Sequence, residues 1–219
     1  MKITIKNSWN DVTLADMEKI ADLQTIKMPD EDRMLDIISI LTGLDRDELV
    51  EVPMTDIITL SNELNFLMDP VPKKVVNPKP EICGRKFYHV LNPEQILAGQ
   101  FLDYKILLGQ NNIDKKIARL IACFTIPEGH TYNDGYDTDE LIDLIHNNLS
   151  VVEGQSLVNF FTIQFNAYSI AILTSSIKKL KKEMKKAKTY KEKQNFRTAI
   201  EIMKRSKAEI LAQNSGLLS

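Results

Sequence analysis

The sequence predicts a mainly α-helical protein of the α+β class: a helical bundle with a small antiparallel sheet, followed by a long basic helical hairpin or arm. Apolar residues recur at spacings of three and four over most of the 219 residues, which is typical of amphipathic helices. Four prolines between residues 70 and 80 interrupt this pattern, and β-favouring residues flank them. The fold class follows from these two observations.

The composition indicates a soluble globular protein. Apolar residues make up 43% of the chain and charged residues 26%, so neither a disordered nor a fibrous chain is expected. Cys83 and Cys123 do not form a CxxC pair, and three histidines are few for a zinc site, so we expect two buried thiols in a reducing compartment. The polar N-terminal segment and the interrupted apolar runs predict neither a signal peptide nor a membrane span.

Charge divides the chain into two parts. Residues 1–174 contain 15 Lys and Arg against 26 Asp and Glu, a net charge of -11, whereas residues 175–219 contain 13 against 4, a net charge of +9. The sequence therefore predicts an acidic, mostly helical body with a small sheet over 1–174 and a basic helical arm over 175–219. Such a charge separation favours head-to-tail contact between copies, or docking of the arm on an acidic partner.

The N-terminal third is predicted to be one strand followed by four helices. Alternation of Ile3 and Ile5 with polar residues predicts a strand over Lys2–Lys6, and the single tryptophan, Trp9, is expected to be a buried anchor. N-caps, prolines or acidic first turns precede apolar residues at helical spacing in each helix. These helices are predicted at residues 13–24, 29–42, 45–50 and 55–68.

The middle third combines two strands with three helices. Strands are predicted at residues 74–76 and 82–90, which could form a small antiparallel sheet with the N-terminal strand. Asn92 and Pro93 open a helix that reaches Gly109. Further helices are predicted at residues 113–124 and 140–147.

The C-terminal third is predicted to be one long helix and a returning helix. The first runs from Ser156 to Lys188, with an aromatic half that is expected to be core and a lysine-rich half with a thin apolar seam. A turn near Thr189 would allow residues 191–213 to fold back on it. The predicted docking residues of the arm are Lys178, Lys179, Lys181, Lys182, Lys185, Lys186 and Lys188.

No catalytic signature is found, so we expect a protein that is not an enzyme and needs no cofactor. Phosphate-loop, dinucleotide, nucleophile-elbow and HExxH patterns are absent from the 219 residues. Asp103 and Asp143 lie among apolar neighbours and are expected to be paired or exposed. The loop with His130, Asn133, Asp134, Asp137 and Asp139 lacks calcium-loop spacing and is interpreted as a solvated turn before an acidic N-cap, so no metal is assigned.

Nucleic-acid binding is an alternative for the arm. Seven lysines within eleven residues could contact phosphates in a salt-dependent way. The run contains no arginine and no interleaved aromatic residue for base stacking, which favours a solvated hairpin or a protein-docking arm. DNA contact is therefore left open but not favoured.

Six segments follow one another along the chain: SWNDVTLADMEKI, MLDIISILTGLDRDEL, LSNELNFL, ICGRKFYHVLNPEQILAGQFLDY, GYDTDELIDLI and NFF. Their order and spacing over residues 8–175 resemble a group of proteins encoded by tailed bacteriophages. Within that group the chain is most similar to structural proteins of crAss-like podoviruses of gut Bacteroidota, where ring-shaped assemblies join the portal to the tail.

The resemblance implies a non-enzymatic virion component that is assembled in the host cytoplasm. It would form a multimeric ring of copies of itself at the head-to-tail connector and contact the portal and other head-to-tail or tail proteins, without a membrane. The alternatives are a phage tail-assembly chaperone, which would leave before maturation, and a basic-arm nucleic-acid-binding protein.

Overall fold

The computed structural model describes residues 3–110 and 113–218, the last six of these as backbone only. It is 66% helical with a small three-stranded antiparallel sheet and a long C-terminal helix pair, which confirms the predicted fold class. Contacts divide the chain into two units, Met1–Val158 and Asn159–Ser219. The predicted boundary between residues 174 and 175 was drawn on charge, and it stays a prediction.

The first four helices confirm the prediction for the N-terminal third: α1 is Leu14–Thr25, α2 is Asp30–Thr42, α3 is Arg46–Val50 and α4 is Met54–Glu63. Their ends are set locally. Thr13 and Asp16 form a capping box at the start of α1, and Gly43 ends α2 in the left-handed conformation, with φ 74°. The fourth of these helices was predicted to continue to residue 68, but Leu64–Met68 is a 3-10 helix.

The predicted N-terminal strand is wrong for residues 3–6, and Lys2 lies outside the described residues. The backbone N–H of Lys6 donates a hydrogen bond of 3.1 Å to the carbonyl of Leu41, at the end of α2. Ile5 packs against the core cluster that contains Trp9. The end of α2 therefore accepts the hydrogen bond of the Lys6 N–H, and the core cluster covers Ile5. The alternating pattern had predicted that a neighbouring strand would do both.

The sheet consists of β1 (Glu81–Ile82), β2 (Arg85–His89) and β3 (Thr125–Pro127), in that order. The single strand predicted at residues 82–90 is instead a hairpin, because Cys83 and Gly84 both have positive φ, 49° and 74°, as a two-residue turn requires. Cys83 is consequently exposed, so the expectation of two buried thiols is wrong for this residue and confirmed for Cys123.

The third strand of the sheet also differs from the prediction. Residues 74–76 form no strand. The partner of β2 is β3, in which Ile126 pairs with Tyr88. Because antiparallel partners are chosen by tertiary packing, the pairing could not be inferred from local propensity.

Three further helices complete the first unit: α5 (Ala98–Gly109), α6 (Lys116–Ala122) and α7 (Thr138–Asn148). Each was predicted, but the helix expected from Asn92 begins as a 3-10 turn at Pro93–Gln95 before α5. Asp137 caps α7, accepting hydrogen bonds from the N–H groups of Asp139 and Glu140, which confirms the acidic N-cap.

The predicted role of Trp9 is confirmed. Its side chain is 8% exposed and its indole N–H donates a hydrogen bond of 3.1 Å to the carbonyl of Asp69. The ring meets that of Phe66 edge to face, with centroids 5.3 Å apart. Trp9 thus joins the N-terminal segment to the chain that follows α4.

Two long helices end the chain: α8 (Val151–Lys186) and α9 (Tyr190–Leu218). Both were predicted, but α8 begins before Ser156 and α9 continues past residue 213. The boundary between the two units falls inside α8, so the second unit contains most of α8 and all of α9.

Candidate docking surface

A two-helix hairpin of α8 and α9 carries the predicted docking residues. Its turn is fixed by a reciprocal cap: the N–H of Glu192 donates to the hydroxyl of Thr189 over 3.2 Å, and the Glu192 carboxylate accepts from the N–H of Thr189 over 3.2 Å. A further N–H, from Lys188, donates to the same carboxylate over 3.1 Å. Hydrogen bonds from Thr189, then Lys188, lower the pKa of Glu192. The predicted turn near Thr189 is therefore confirmed.

The two helices meet along an apolar seam. Ile177 of α8 and Ile200 of α9 are 9% and 6% exposed. Half-buried apolar residues precede or follow them at successive spacings of three, four and seven, which places them on one face of each helix. They are Leu180 and Met184 on α8, and Phe196, Met203 and Ile210 on α9. The seam is of the narrow kind that coiled coils use.

All seven predicted lysines lie outside the seam and are exposed. Lys186 has an ion pair, with Glu183 at 3.0 Å. Among the side chains that the structure describes, no carboxylate lies within 4.0 Å of the other six ammonium groups. The positive charge of these six lysines is thus not neutralised by an ion pair with a described side chain and is available to act on a partner.

The aromatic half of α8 is only partly buried. Leu157, Phe161 and Phe165 are buried, as predicted, but Tyr168 and Ile172 are 54% and 48% exposed, so the predicted core stripe is wrong at these two positions. The spacing of four residues places Tyr168 and Ile172 side by side on the helix. The outer surface of α8 therefore carries an apolar pair before its lysines.

Helix α8 is long and apolar enough to cross a membrane by length and composition, and 22% of its 18-residue apolar window is buried. Core helices of soluble proteins satisfy the same criterion. The expectation that the chain has no membrane span stays a prediction.

The loop before α7 holds its acidic and amide side chains in turn and capping roles. Asn133 adopts the left-handed conformation, with φ 57°, and Asp137 serves as the N-cap described above. Within residues 3–110 and 113–212, no three His, Cys, Asp or Glu side chains are placed to hold a metal ion.

A cleft of about 470 Å³ lies between α5, α6 and this loop, and sequence reasoning did not find it. The hydroxyl of Tyr132 donates a hydrogen bond of 2.5 Å to Asp103, one of the two carboxylates expected to be paired or exposed. The other, Asp143, is exposed and pairs with Lys115 at 2.6 Å. Burial raises the pKa of the Cys123 thiol in this cleft to about 12, which keeps it protonated and unreactive at neutral pH.

A smaller cavity of about 130 Å³ contains His89, which sequence reasoning also missed. The hydroxyl of Thr125 donates to the carbonyl of Ile121 over 2.9 Å, so it accepts from Nδ1–H of His89, also at 2.9 Å. Burial lowers the pKa of His89 to about 4, against a smaller opposing effect of Glu153. His89 alternates with buried Phe87 on β2, and this spacing of two was the available signal.

No protein-family model, curated protein or solved structure matches this chain. The resemblance to phage structural proteins therefore stays a prediction. The hairpin of α8 and α9 combines the seven lysines that were predicted to dock with a turn that is fixed by hydrogen bonds.

Proposed function

We propose that the protein is a non-enzymatic structural component of a tailed-phage virion, forming a multimeric ring at the portal and head-to-tail connector. The hairpin of α8 and α9 is its docking element, which contacts acidic surfaces of neighbouring copies and of adjoining virion proteins. One observation carries this proposal: six of the seven arm lysines have no carboxylate partner among the described side chains, in a chain whose other part is acidic.

Charge and symmetry together support a ring. Residues 1–174 have a net charge of -11 and residues 175–219 a net charge of +9, so the arm of one copy is attracted to the body of another. A contact between two different surfaces of identical chains is heterologous, and when its rotation closes it generates a ring. The same attraction would guide the arm to other acidic proteins.

The exposed pair Tyr168 and Ile172 favours a second candidate, a tail-assembly chaperone. An apolar surface of this kind could cover an aggregation-prone protein during assembly. Mass spectrometry of purified virions separates the two functions. The ring proposal expects the protein in mature particles, and its absence there would favour the chaperone.

The role of the arm is tested with charge-matched variants of the purified protein. One variant replaces five arm residues with glutamine: Lys178, Lys179, Lys181, Lys182 and Lys185. Its control replaces five exposed lysines of the first unit, each without an ion pair to a described carboxylate: Lys19, Lys27, Lys73, Lys79 and Lys86. Both variants lose the same charge, and native mass spectrometry and sedimentation velocity report their assembly.

We expect the arm variant to lose self-association and the control to retain it, because the arm supplies the docking charge. Equal loss in both variants would show that net charge and not the arm controls assembly. No loss in either would overturn the proposal. Binding of DNA that disappears only in the arm variant, with no assembly in any variant, would instead support a nucleic-acid-binding protein.

A further inference from the structure

Helix α4 has apolar residues on two different faces. Ile57 and Leu60 are buried at 5% and 7% exposure and pack in the core, whereas Met54 and Ile58 are 70% and 53% exposed. The latter two are four residues apart and therefore lie side by side on the outer face. Val50, at the end of α3, is also exposed, at 72%. Core packing accounts for the inner pair but leaves the outer pair without a partner among the described side chains.

The chain around this outer face is strongly acidic. Residues 30–56 contain nine Asp and Glu against two Arg. Arg46 is already paired with Asp32 and Asp36, and therefore it does not neutralise the remaining carboxylates. Asp47, Glu51 and Asp56 are exposed and flank the ends of α3 and α4. Asp47, Val50 and Glu51 are three and four positions apart and share one side of the chain at α3, whereas Asp56 lies on the side of α4 away from Met54 and Ile58. We name the surface formed by Asp47, Val50, Glu51, Met54 and Ile58 the α4 face.

The hairpin carries the complementary arrangement on α8. Tyr168 and Ile172 form an exposed apolar pair at the same spacing of four, and the lysines begin six residues later, at Lys178. Glu183 is the one acidic residue between Glu153 and the end of α8. Each surface thus combines an apolar pair with charge of a single sign, and the two signs are opposite.

We propose that the α4 face is the docking site for the basic hairpin of a second copy of this chain. This inference rests on the proposed function and names the partner surface of the arm. Apolar contact between the two pairs would supply burial, and lysine–carboxylate attraction would supply orientation and association rate. Each copy has one α4 face and one hairpin, so every copy can bind two neighbours and the contact can repeat until a ring closes.

The test uses charge reversal on each surface and measures self-association by sedimentation velocity. The face variant carries Asp47→Lys and Glu51→Lys, and the arm variant carries Lys178→Glu and Lys182→Glu. The control reverses two exposed carboxylates of the first unit that have no ion pair in the described chain: Asp22→Lys and Glu94→Lys. Circular dichroism and Trp9 emission check that each variant is folded.

We expect each surface variant alone to self-associate at least tenfold more weakly than the unchanged protein, because like charges then face each other. The control should associate normally. An equimolar mixture of the face and arm variants should recover association, because each reversed surface then meets its reversed complement. General destabilisation would not produce this recovery. If the face reversals impair folding, Asp47→Asn and Glu51→Gln provide the neutral version of the variant.

The outcomes separate this inference from the proposed function. Weak association of the arm variant with normal association of the folded face variant would show that the arm docks elsewhere, which overturns the inference and leaves the ring proposal standing. Absence of recovery in the mixture would also overturn it. Normal association of both variants would overturn the inference and the docking role of the arm together.

Discussion

The ammonium group of Lys207 lies 2.8 Å from the hydroxyl oxygen of Thr174 and donates a hydrogen bond to it. That hydroxyl in turn donates to the carbonyl of Ile170, one turn earlier in α8, over 2.7 Å. Lys207 lies far beyond the turn at Thr189, so this contact establishes that α9 runs back along α8. The arm is a folded hairpin, and its free lysines are presented on a paired scaffold instead of a single extended helix.

Shortening a seam side chain should loosen the hairpin. Ile200→Ala removes a side chain that is 6% exposed and should lower the free energy of unfolding of the hairpin by about 2 kcal/mol, because buried methyl groups are lost and a cavity remains. Ile202→Ala is the control on the same helix, since Ile202 is 61% exposed. Hydrogen exchange of α9 amides measures both, and equal protection in the two variants would contradict the assigned seam.

Removing the cap at the turn should fray the start of α9. Thr189→Ala deletes the hydroxyl that accepts from the Glu192 N–H and should destabilise the hairpin by about 1 kcal/mol. Thr198→Ala is the matched control, because that hydroxyl bonds within the helix, to the carbonyl of Gln194. Hydrogen-exchange rates of the first amides of α9 measure the effect. Unchanged rates in Thr189→Ala would show that the cap does not stabilise the start of α9.

The same turn should weaken in acid. Hydrogen bonds from Thr189 and Lys188 lower the pKa of Glu192 in the folded hairpin, so its contribution to stability is present above the ordinary glutamate pKa and is lost as the pH falls through the lowered value. Nuclear magnetic resonance titration of the Glu192 side chain measures the pKa. Thr189→Ala should move that pKa upward, and an identical titration in both proteins would refute the assigned cause.

Two helical glycines should respond in opposite directions to alanine. A Cβ at Gly154 would lie 2.7 Å from Cδ2 and 3.3 Å from Cγ of Leu14, which is itself buried, so Gly154→Ala should destabilise the first unit by about 1–3 kcal/mol. At Gly99 the nearest atom is 3.6 Å away, on Tyr132, so Gly99→Ala should be neutral or stabilising by up to about 1 kcal/mol. Urea unfolding followed by Trp9 emission compares the two variants. A stabilising effect of Gly154→Ala would show that Leu14 and Gly154 are packed less closely than the 2.7 Å distance indicates.

His89 should make the first unit less stable in mild acid. Its folded pKa is about 4, below the ordinary 6.5, so between these values the unfolded state binds a proton that the folded state does not. The free energy of unfolding should therefore fall by roughly 3 kcal/mol in total as the pH decreases across this window.

Substitution isolates this contribution of His89. His89→Asn retains a side-chain N–H for Thr125 but cannot titrate, so it should flatten the fall in stability between pH 6.5 and 4. His130→Asn, in the loop before α7, should retain the full fall. Urea unfolding at several pH values measures the slopes, and a slope in His89→Asn equal to that of the unchanged protein would assign the acid sensitivity to other groups.

Features that depend on nearby residues could be predicted from the sequence. The capping box of Thr13 and Asp16, the C-cap at Gly43 and the N-cap at Asp137 each involve residues at most a few positions apart, so local patterns locate the helices. The exposure of the seven arm lysines could be predicted for a related reason, since a charged side chain without a partner remains in water.

Features that depend on residues far apart in the chain could not be predicted from the sequence. The strand predicted at residues 82–90 became a hairpin at Cys83 and Gly84, and its partner β3 lies directly after the helix predicted at residues 113–124, where no strand was expected. Local β-propensity identifies residues that suit a strand, but the choice of partner depends on packing across tens of residues. The same limitation produced the incorrect strand at residues 3–6.

By itself, the sequence determined the mainly helical class, the capped helix ends at Thr13, Gly43 and Asp137, and the charged arm, because periodicity, caps and charge act over a few residues or by simple addition. Tertiary structure alone decided which apolar residues are covered. It buried Ile200 but exposed Ile202, and left Met54 and Ile58 on the outside of α4. It also fixed the neutral state of His89, since burial and not residue type lowers that pKa.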